Sequence, residues 1–449
     1  MSQDDLLQVA LDAARRAGAD AADALLSERR QVGLRWRLGA LESLERKAGG
    51  ELGVRVLVGR RVATTATNRL EAAIVRELVE DAVAAARLLP EDPWAGLAEP
   101  GQLADPGQLE ATLAGLDLVD AAEPALDELT AAAAAAEEAA RAVSGVTNSD
   151  GAGASWAWGR VSLAASNGFR GSYGRTLHSL GATVLAGSGT GVQRDHEYRQ
   201  ATHREALPDP AEIGRRAGER AVRRLDARKL ATARLPVVYE PRAAASLLRH
   251  LASALGGEAV AAGRSFLKDR LGERVMAPGV TVLDDPLRSR GLASRPFDGE
   301  GIAAARLALV EDGVLTSWLL DLASARRLGL ASTGHASRGG AALGSPGPTN
   351  LALLPGATTA EALIADIADG LYVTEMMGMG VQLVTGDYSR GAAGFRIRHG
   401  ELAEAVDEVT VAGNLADMLL RLVPAADLEL SGAVDAPTVR IDGLTVAGR

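Results

Sequence analysis

The run Thr385-Gly386-Asp387-Tyr388-Ser389-Arg390-Gly391 puts a carboxylate, a phenol, a hydroxyl and a guanidinium on four consecutive residues. Such groups can take a proton, donate hydrogen bonds and grip a carboxylate or a peptide backbone. The pattern places them in a polar loop between two sheet segments, where a rigid scaffold commonly presents functional side chains. On residue types alone, an ordinary surface loop with a structural Asp turn is the preferred reading of the run.

Other apparent motifs fail on their chemistry. His196-Glu197 and His203 suggest a metalloprotease pair, but a helical H-E-x-x-H needs its histidines one turn apart. These are seven apart in an expected strand, on opposite faces. Ser265-Phe266-Leu267-Lys268 matches S-x-x-K, yet the K-T-G element that mechanism also needs is absent. Gly187 to Gly191 lacks the following Lys-Ser/Thr of a phosphate loop. Asp284-Asp285 resembles a carboxylate pair, but adjacent strand residues point apart, and a turn before Pro286 explains them. His250, on an expected helix from Pro241 to Leu255, is read as a packed or hydrogen-bonded imidazole.

The elements that must position these residues follow from periodicity. Residues 3–17 read as a helix, 22–38 and 53–65 as strands with a Gly59-Arg60 hairpin turn, and 69–88 as a helix capped by Asn68. Proline and glycine mark 89–108 as a linker or wrapping loop. A helix is expected from about 120 to 143. An antiparallel meander follows from 149 to 203, turning at Asp150-Gly151, Asn167-Gly168 and Gly187-Ser188-Gly189. Asp209-Pro210-Ala211-Glu212 is a capping box opening a helix to about Arg228, whose arginines read as a solvated face.

Further on come a strand over 235–239, a hairpin around Asp312-Gly313, and a helix over 322–328. The long Gly/Ser/Pro stretch 331–355 lacks periodicity and reads as a functional loop. A helix covers 360–367. Phe395 and Ile397 alternate with Arg396 and Arg398, His399-Gly400 supplies a tight two-residue turn, and the chain returns to Gly413-Asn414 before a helix over 415–422. The expected class is α+β: N-terminal α/β units with an antiparallel sheet, then a mostly antiparallel C-terminal β domain with a few helices. The expected division is 1–90, then 109–230 completing the N-terminal half, then 231–449.

The 449 residues carry no cysteine and a formal charge of −10. Disulfides and thiolate metal sites are therefore excluded, and direct nucleic-acid contact is disfavoured. The acidic start into an amphipathic helix shows no signal-peptide pattern, and no apolar run reaches the ~20 residues of a membrane span. A cytoplasmic, membrane-free setting is expected.

The run Val384 to Phe395, the His399-Gly400 turn and Val409-Thr-Val-Ala-Gly-Asn-Leu415 together resemble the C-terminal signature of the TldD/PmbA family, and more narrowly its PmbA (TldE) branch. The similarity extends through Gly53-Val-Arg-Val-Leu-Val-Gly59, Pro90-Glu-Asp-Pro93, Gly263-Arg-Ser-Phe266, Gly291-Leu-Ala-Ser-Arg-Pro-Phe-Asp-Gly299 and Gly334-His335. In the TldD branch an H-E-x-x-x-H zinc motif follows a Leu-Leu pair, with a C-terminal cysteine ligand. Here Leu247-Leu248 leads instead to Arg249, His250 and Ala254 at the motif positions.

The resemblance therefore implies no metal ligand and no catalytic residue on this chain, with zinc on a TldD-like partner subunit. It implies a cytoplasmic proteolytic complex acting on peptides and unfolded small proteins, including peptide-antibiotic precursors, in an enclosed space between subunits. Arg264, Ser265, His335, Asp387, Tyr388, Ser389 and Arg390 are the residues expected to line that space. Two alternatives stand beside it: an autonomous hydrolase using His335 or His250 as base, and a non-catalytic adaptor of the gyrase-modulator type.

Overall fold

The computed structural model describes residues 3–448 apart from 341 and 379, and only the backbone at 3, 342 and 343. Met1, Ser2, Ala341, Met379 and Arg449 lie outside the described residues; Ala341 falls within the 331–355 loop discussed above.

The N-terminal half is one antiparallel sheet with most of its helices on one face. Helix α1 (Gln3–Arg16) buries Leu6, Leu7, Ala10, Leu11 and Ala14, the stripe its spacing dictates. Strands β1 (Ala21–Arg37), β2 (Ala40–Val58) and β3 (Arg61–Thr67) follow, then α2 (Ala72–Ala86). The cap of α2 is Glu71, so Asn68 is a loop residue and not the expected cap.

The 40–52 strand was not legible. It is joined to β1 by a turn at Leu38-Gly39, both at positive φ (51° and 81°), a conformation leucine rarely adopts. The buried Glu137 carboxylate holds this turn, accepting from the backbone N–H of Leu38 at 2.7 Å and Gly39 at 3.1 Å. Beyond Leu52 the β2 edge pairs with β3, but residues 40–50 pair only with β1 and are exposed along nearly their whole length.

The 89–108 segment wraps the body. Ala98 and Ala104 are buried, and Arg326 donates to the carbonyls of Trp94 and Leu97. It runs into α3 (Pro106–Leu116), started by Asp105, a helix that sequence reading missed. After α4 (Leu126–Ala142), strands β4 (Val146–Ala165), β5 (Arg170–Ala186) and β6 (Gln193–Ala201) complete the order β3-β2-β1-β4-β5-β6. Asp150-Gly151 is not a turn: it is a register shift inside β4, with Gly151 at φ 102°.

Helix α5 (Pro210–Arg223) is capped by Asp209, whose side chain accepts from Ala211 N–H. Glu212 turns outward to Arg215 and Arg216. Gly214 lets α5 approach α4 so closely that a Cβ there would lie 1.9 Å from the Ala136 carbonyl oxygen. On β1, Ala22, Ala24, Leu26, Val32 and Leu34 share the parity that faces the helices. Leu25, of opposite parity, packs with Leu163, Phe169 and Phe297 against the C-terminal half.

That half starts with β7 (Ala233–Tyr239), α6 (Pro241–Ala254) and α7 (Gly257–Ala261). Short strands β8 (Val282–Asp284), β9 (Leu307–Glu311) and β10 (Val314–Leu315) precede α8 (Leu322–Leu328). The 331–355 stretch holds a small hairpin, β11 (Ser337–Gly339) with β12 (Ala342–Gly344), and β13 (Leu351–Leu353). Next come α9 (Ala360–Ile364), β14 (Asp369–Met377), β15 (Asp387–Arg398), β16 (Glu401–Asn414) and α10 (Leu415–Leu420). The chain ends in β17 (Val423–Pro424), β18 (Val434–Asp435) and β19 (Val439–Ala447).

The larger sheet runs β16-β15-β14-β7-β19-β17, and β16 also pairs with β19, so five strands close into a ring. A second sheet, β10-β9-β8-β13-β18, lies across α6. The expected α+β class, with a C-terminal β domain, is the one observed. His399 and Gly400, at φ 51° and 82°, make the two-residue turn between β15 and β16.

Buried charge joins the halves. Asp23 on β1 receives Arg55 from β2 (Nε at 2.8 Å) and Arg338 from β11. Glu300 faces Arg55 at 3.5 Å. Arg224, expected on a solvated face, is instead 6% exposed and pairs with Asp195 on β6 and Glu375 on β14.

Candidate functional site

Helix α6 sits where two sheets meet because one face is Ala244, Leu247, Leu248 and Leu251, all buried. Its other face therefore carries Arg249 and His250 toward the surface, Arg249 exposed and His250 half-buried. Strand β15 runs beside it. Residues 388 and 390 share one side by the period of two, which turns Tyr388 and Arg390 toward His250. The Tyr388 ring stands edge-on to the imidazole at 6.2 Å between centroids, and Arg390 Nη1 lies 3.3 Å from His250 Nε2.

That contact fixes the imidazole chemistry. A guanidinium only donates, so Nε2 must hold its lone pair, and the ring is neutral with its proton on Nδ1. Burial, then the charges of Arg390 and Arg249, hold His250 below its ordinary pKa. Arg390 also donates from Nε to the Gly378 carbonyl at 3.0 Å, and among the described residues it has no carboxylate partner. Tyr388 is 1% exposed, and burial pushes its phenol up to about 12, so it stays protonated at neutral pH.

The other expected residues divide. Asp387 opens β15 instead of sitting in a loop. It accepts from Thr385 Oγ1 at 2.7 Å and from Asn414 Nδ2 at 3.3 Å, while Asn414 caps α10. Ser389 points to the opposite side and is exposed. Arg264 lies across α6 on a cavity of about 640 Å³ whose walls include Arg249, Ala252, Pro346, Leu383 and Val384; it is paired with Glu258 at 2.8 Å.

Ser265 is turned inward, 2% exposed, donating to the Ala254 carbonyl at 2.6 Å and accepting from Leu267 N–H. His335 is also remote from this surface. It is 1% exposed, with Nε2 3.1 Å from Asp284 and Nδ1 2.9 Å from Thr333 Oγ1. Asp284 in turn accepts from the Thr349 N–H at 2.7 Å, so the Asp284-Asp285 turn reading is corrected: Asp284 is the buried anchor of the 331–355 loop.

Arg249 and His250, which the sequence places at the altered zinc-motif positions but which were not among the residues expected to line the cavity, form the centre. The signal was the outward face of an otherwise apolar helix. His196 and His203 do not meet: β6 ends at Ala201, and His203 turns to Asp117 at 3.4 Å. Among the described residues no three of His, Cys, Asp or Glu gather to hold a metal ion. None of their helices is long and apolar enough to cross a membrane.

Comparison with known proteins accounts for nearly the whole chain. Residues 22–86 match the PmbA/TldA metallopeptidase domain 1, 120–225 the central domain and 232–448 the C-terminal domain. Metalloprotease PmbA of Escherichia coli O157:H7 is 34% identical over 433 residues, covering 96% of this chain and 93% of its own length. A structure from Bacteroides thetaiotaomicron, described as a candidate modulator of DNA gyrase, superposes with TM-score 0.89 at 28% identity over 99% of both chains. TldE from Thermococcus kodakarensis has the same fold, with TM-score 0.85 at 19% identity over 99% of this chain and 100% of its own. The chain belongs to the PmbA/TldD metallopeptidase family, on its PmbA (TldE) branch.

Proposed function

We propose that this chain is the metal-free subunit of a two-chain PmbA/TldD metallopeptidase, supplying cavity wall and peptide-binding surface while a TldD-like partner carries the zinc. Peptides, unfolded small proteins and peptide-antibiotic precursors are the substrate class, and the setting is cytoplasmic. The observation that carries this reading is the composition of the α6 site. Hydrolytic zinc needs about three His or carboxylate donors and an open position. Here Arg249 brings a cation, Ala254 is a fully buried methyl, and the His250 Nε2 lone pair already accepts from Arg390. These residues do not fit zinc, and no hydrolytic step is assigned to them.

The autonomous-hydrolase alternative loses support from the burial of His335, one of its two candidate bases, and from the Arg390 contact that occupies the Nε2 lone pair of His250, the other. The test is peptide cleavage by this chain alone, by a TldD-like chain alone, and by the two mixed. The proposal expects cleavage in the mixture well above either chain alone. Cleavage by this chain alone that survives a chelator would contradict it, and so would stable association that adds no cleavage.

A further inference from the structure

The α6 site gathers donors without acceptors. Arg249 is exposed and has no carboxylate partner among the described residues. Arg390 spends Nε on a backbone carbonyl and Nη1 on a neutral imidazole, and its Nη2 has no hydrogen-bond partner among the described residues. His250 must carry its proton on Nδ1, which finds no protein acceptor among the described residues. The charges acting on this imidazole are those of Arg390 and Arg249, both positive. Two other arginines of β15 and the other arginine of the adjoining cavity are matched: Arg396 with Asp369, Arg398 with Glu404, Arg264 with Glu258. Two unmatched guanidinium groups about one neutral imidazole, in a chain of net charge −10, are a local reversal of sign.

The neighbouring space is more apolar. Arg249 also lines the 640 Å³ cavity, where Ala252, Pro346, Pro348, Leu383 and Val384 form an apolar wall and the Glu258 carboxylate, also on the lining, is taken up by Arg264 and Ser345. Val384 is 53% exposed, apolar surface open to a ligand. An anion held at the arginines can thus continue into an apolar trough large enough for two or three residues. Arg is suited to such a role because its planar fork grips a carboxylate through two parallel bonds.

Resting on the subunit reading above, we infer that Arg249, His250 and Arg390 bind a carboxylate of the peptide substrate, with the neighbouring peptide residues in the adjoining cavity. The carboxylate can be the chain terminus or an acidic side chain. The site thereby sets where along a peptide the partner subunit acts.

The test uses the full chain and three fluorescein-labelled hexapeptides of alanine and valine: the free acid, the C-terminal amide, and the amide with one internal glutamate. Anisotropy is read on the chain alone and on the complex. The acid, the glutamate amide or both should bind at least tenfold more tightly than the plain amide, and their order assigns the carboxylate to chain end or side chain. Arg249→Gln and Arg390→Gln should each remove most of that discrimination. Arg249 is exposed, so its variant keeps the fold. Independently, NMR of His250 should show its pKa rise when the preferred peptide is added, because a bound anion favours the imidazolium, and stay put with the plain amide.

Binding of all three peptides within twofold of one another would overturn the inference. So would discrimination that survives both substitutions, or an Arg390→Gln variant that loses only its association with the partner chain. Cleavage by the mixed subunits without discrimination removes this inference alone; discrimination without cleavage removes the subunit reading and leaves the site.

Discussion

Glu300 offers a sharp test of the seam between the two halves. Its carboxyl is 6% exposed, accepts the Leu322 N–H at 2.8 Å, and lies 3.5 Å from Arg55. Burial pushes its pKa from 4.5 up to about 8, and Arg55 offsets this only in part. A carboxyl with a raised folded pKa takes up a proton on folding. Its stability contribution is complete below about pH 4.5 and is lost as pH rises through about 8. At ~1.4 kcal/mol per pH unit, linkage puts the whole loss at no more than ~5 kcal/mol. Glu300→Gln mimics the protonated acid and cannot ionise. The variant should match the parent within ~1 kcal/mol at pH 5 and exceed it by a few kcal/mol at pH 9. Urea unfolding of both proteins from pH 5 to 9 measures this, and the difference between them cancels every other titrating group. A gap that is constant with pH, or a variant less stable than the parent at pH 9, would show that Glu300 is ionised in an ion pair with Arg55.

Gly214→Ala should destabilise the protein by about 1–3 kcal/mol, because the new Cβ overlaps the Ala136 carbonyl by more than helix propensity (up to ~1 kcal/mol) can repay. A rise in the unfolding midpoint would mean that α4 and α5 are more loosely packed. Glu137→Ala removes the acceptor for two turn N–H groups; the turn is exposed enough for water to replace part of it, so a loss of about 1–3 kcal/mol is expected by denaturation. Faster amide exchange should be confined to residues 36–41, and unchanged exchange there would refute the bracing role.

Much of the fold was legible because the pattern was local. The stripe of α1, the Pro241 start of α6, the Asp209 cap and the His399-Gly400 turn each declare themselves within a few residues. What was hidden depended on distant partners. A leucine at positive φ does not announce a hairpin; it takes Glu137, far along the chain, to hold it. Asp150-Gly151 has turn composition, yet pairing with β5 on both sides of the register shift carries the strand through it.

At the site, the run 385–391 drew attention to Tyr388 and Arg390, and the structure brings both to His250. Sequence could not show that Asp387 is committed to Asn414, or that Ser265 and His335 turn inward to close loops. A polar residue in a glycine-rich stretch serves a substrate or the backbone equally well until its burial is known.

The central claim is tested most directly by the metal content of the purified chain, measured after equilibration with zinc and removal of the free ion, alone and in complex with a TldD-like chain. Well under one zinc per isolated chain, and about one per heterodimer, is the predicted result. One zinc per isolated chain, lost on His250→Ala, would contradict it.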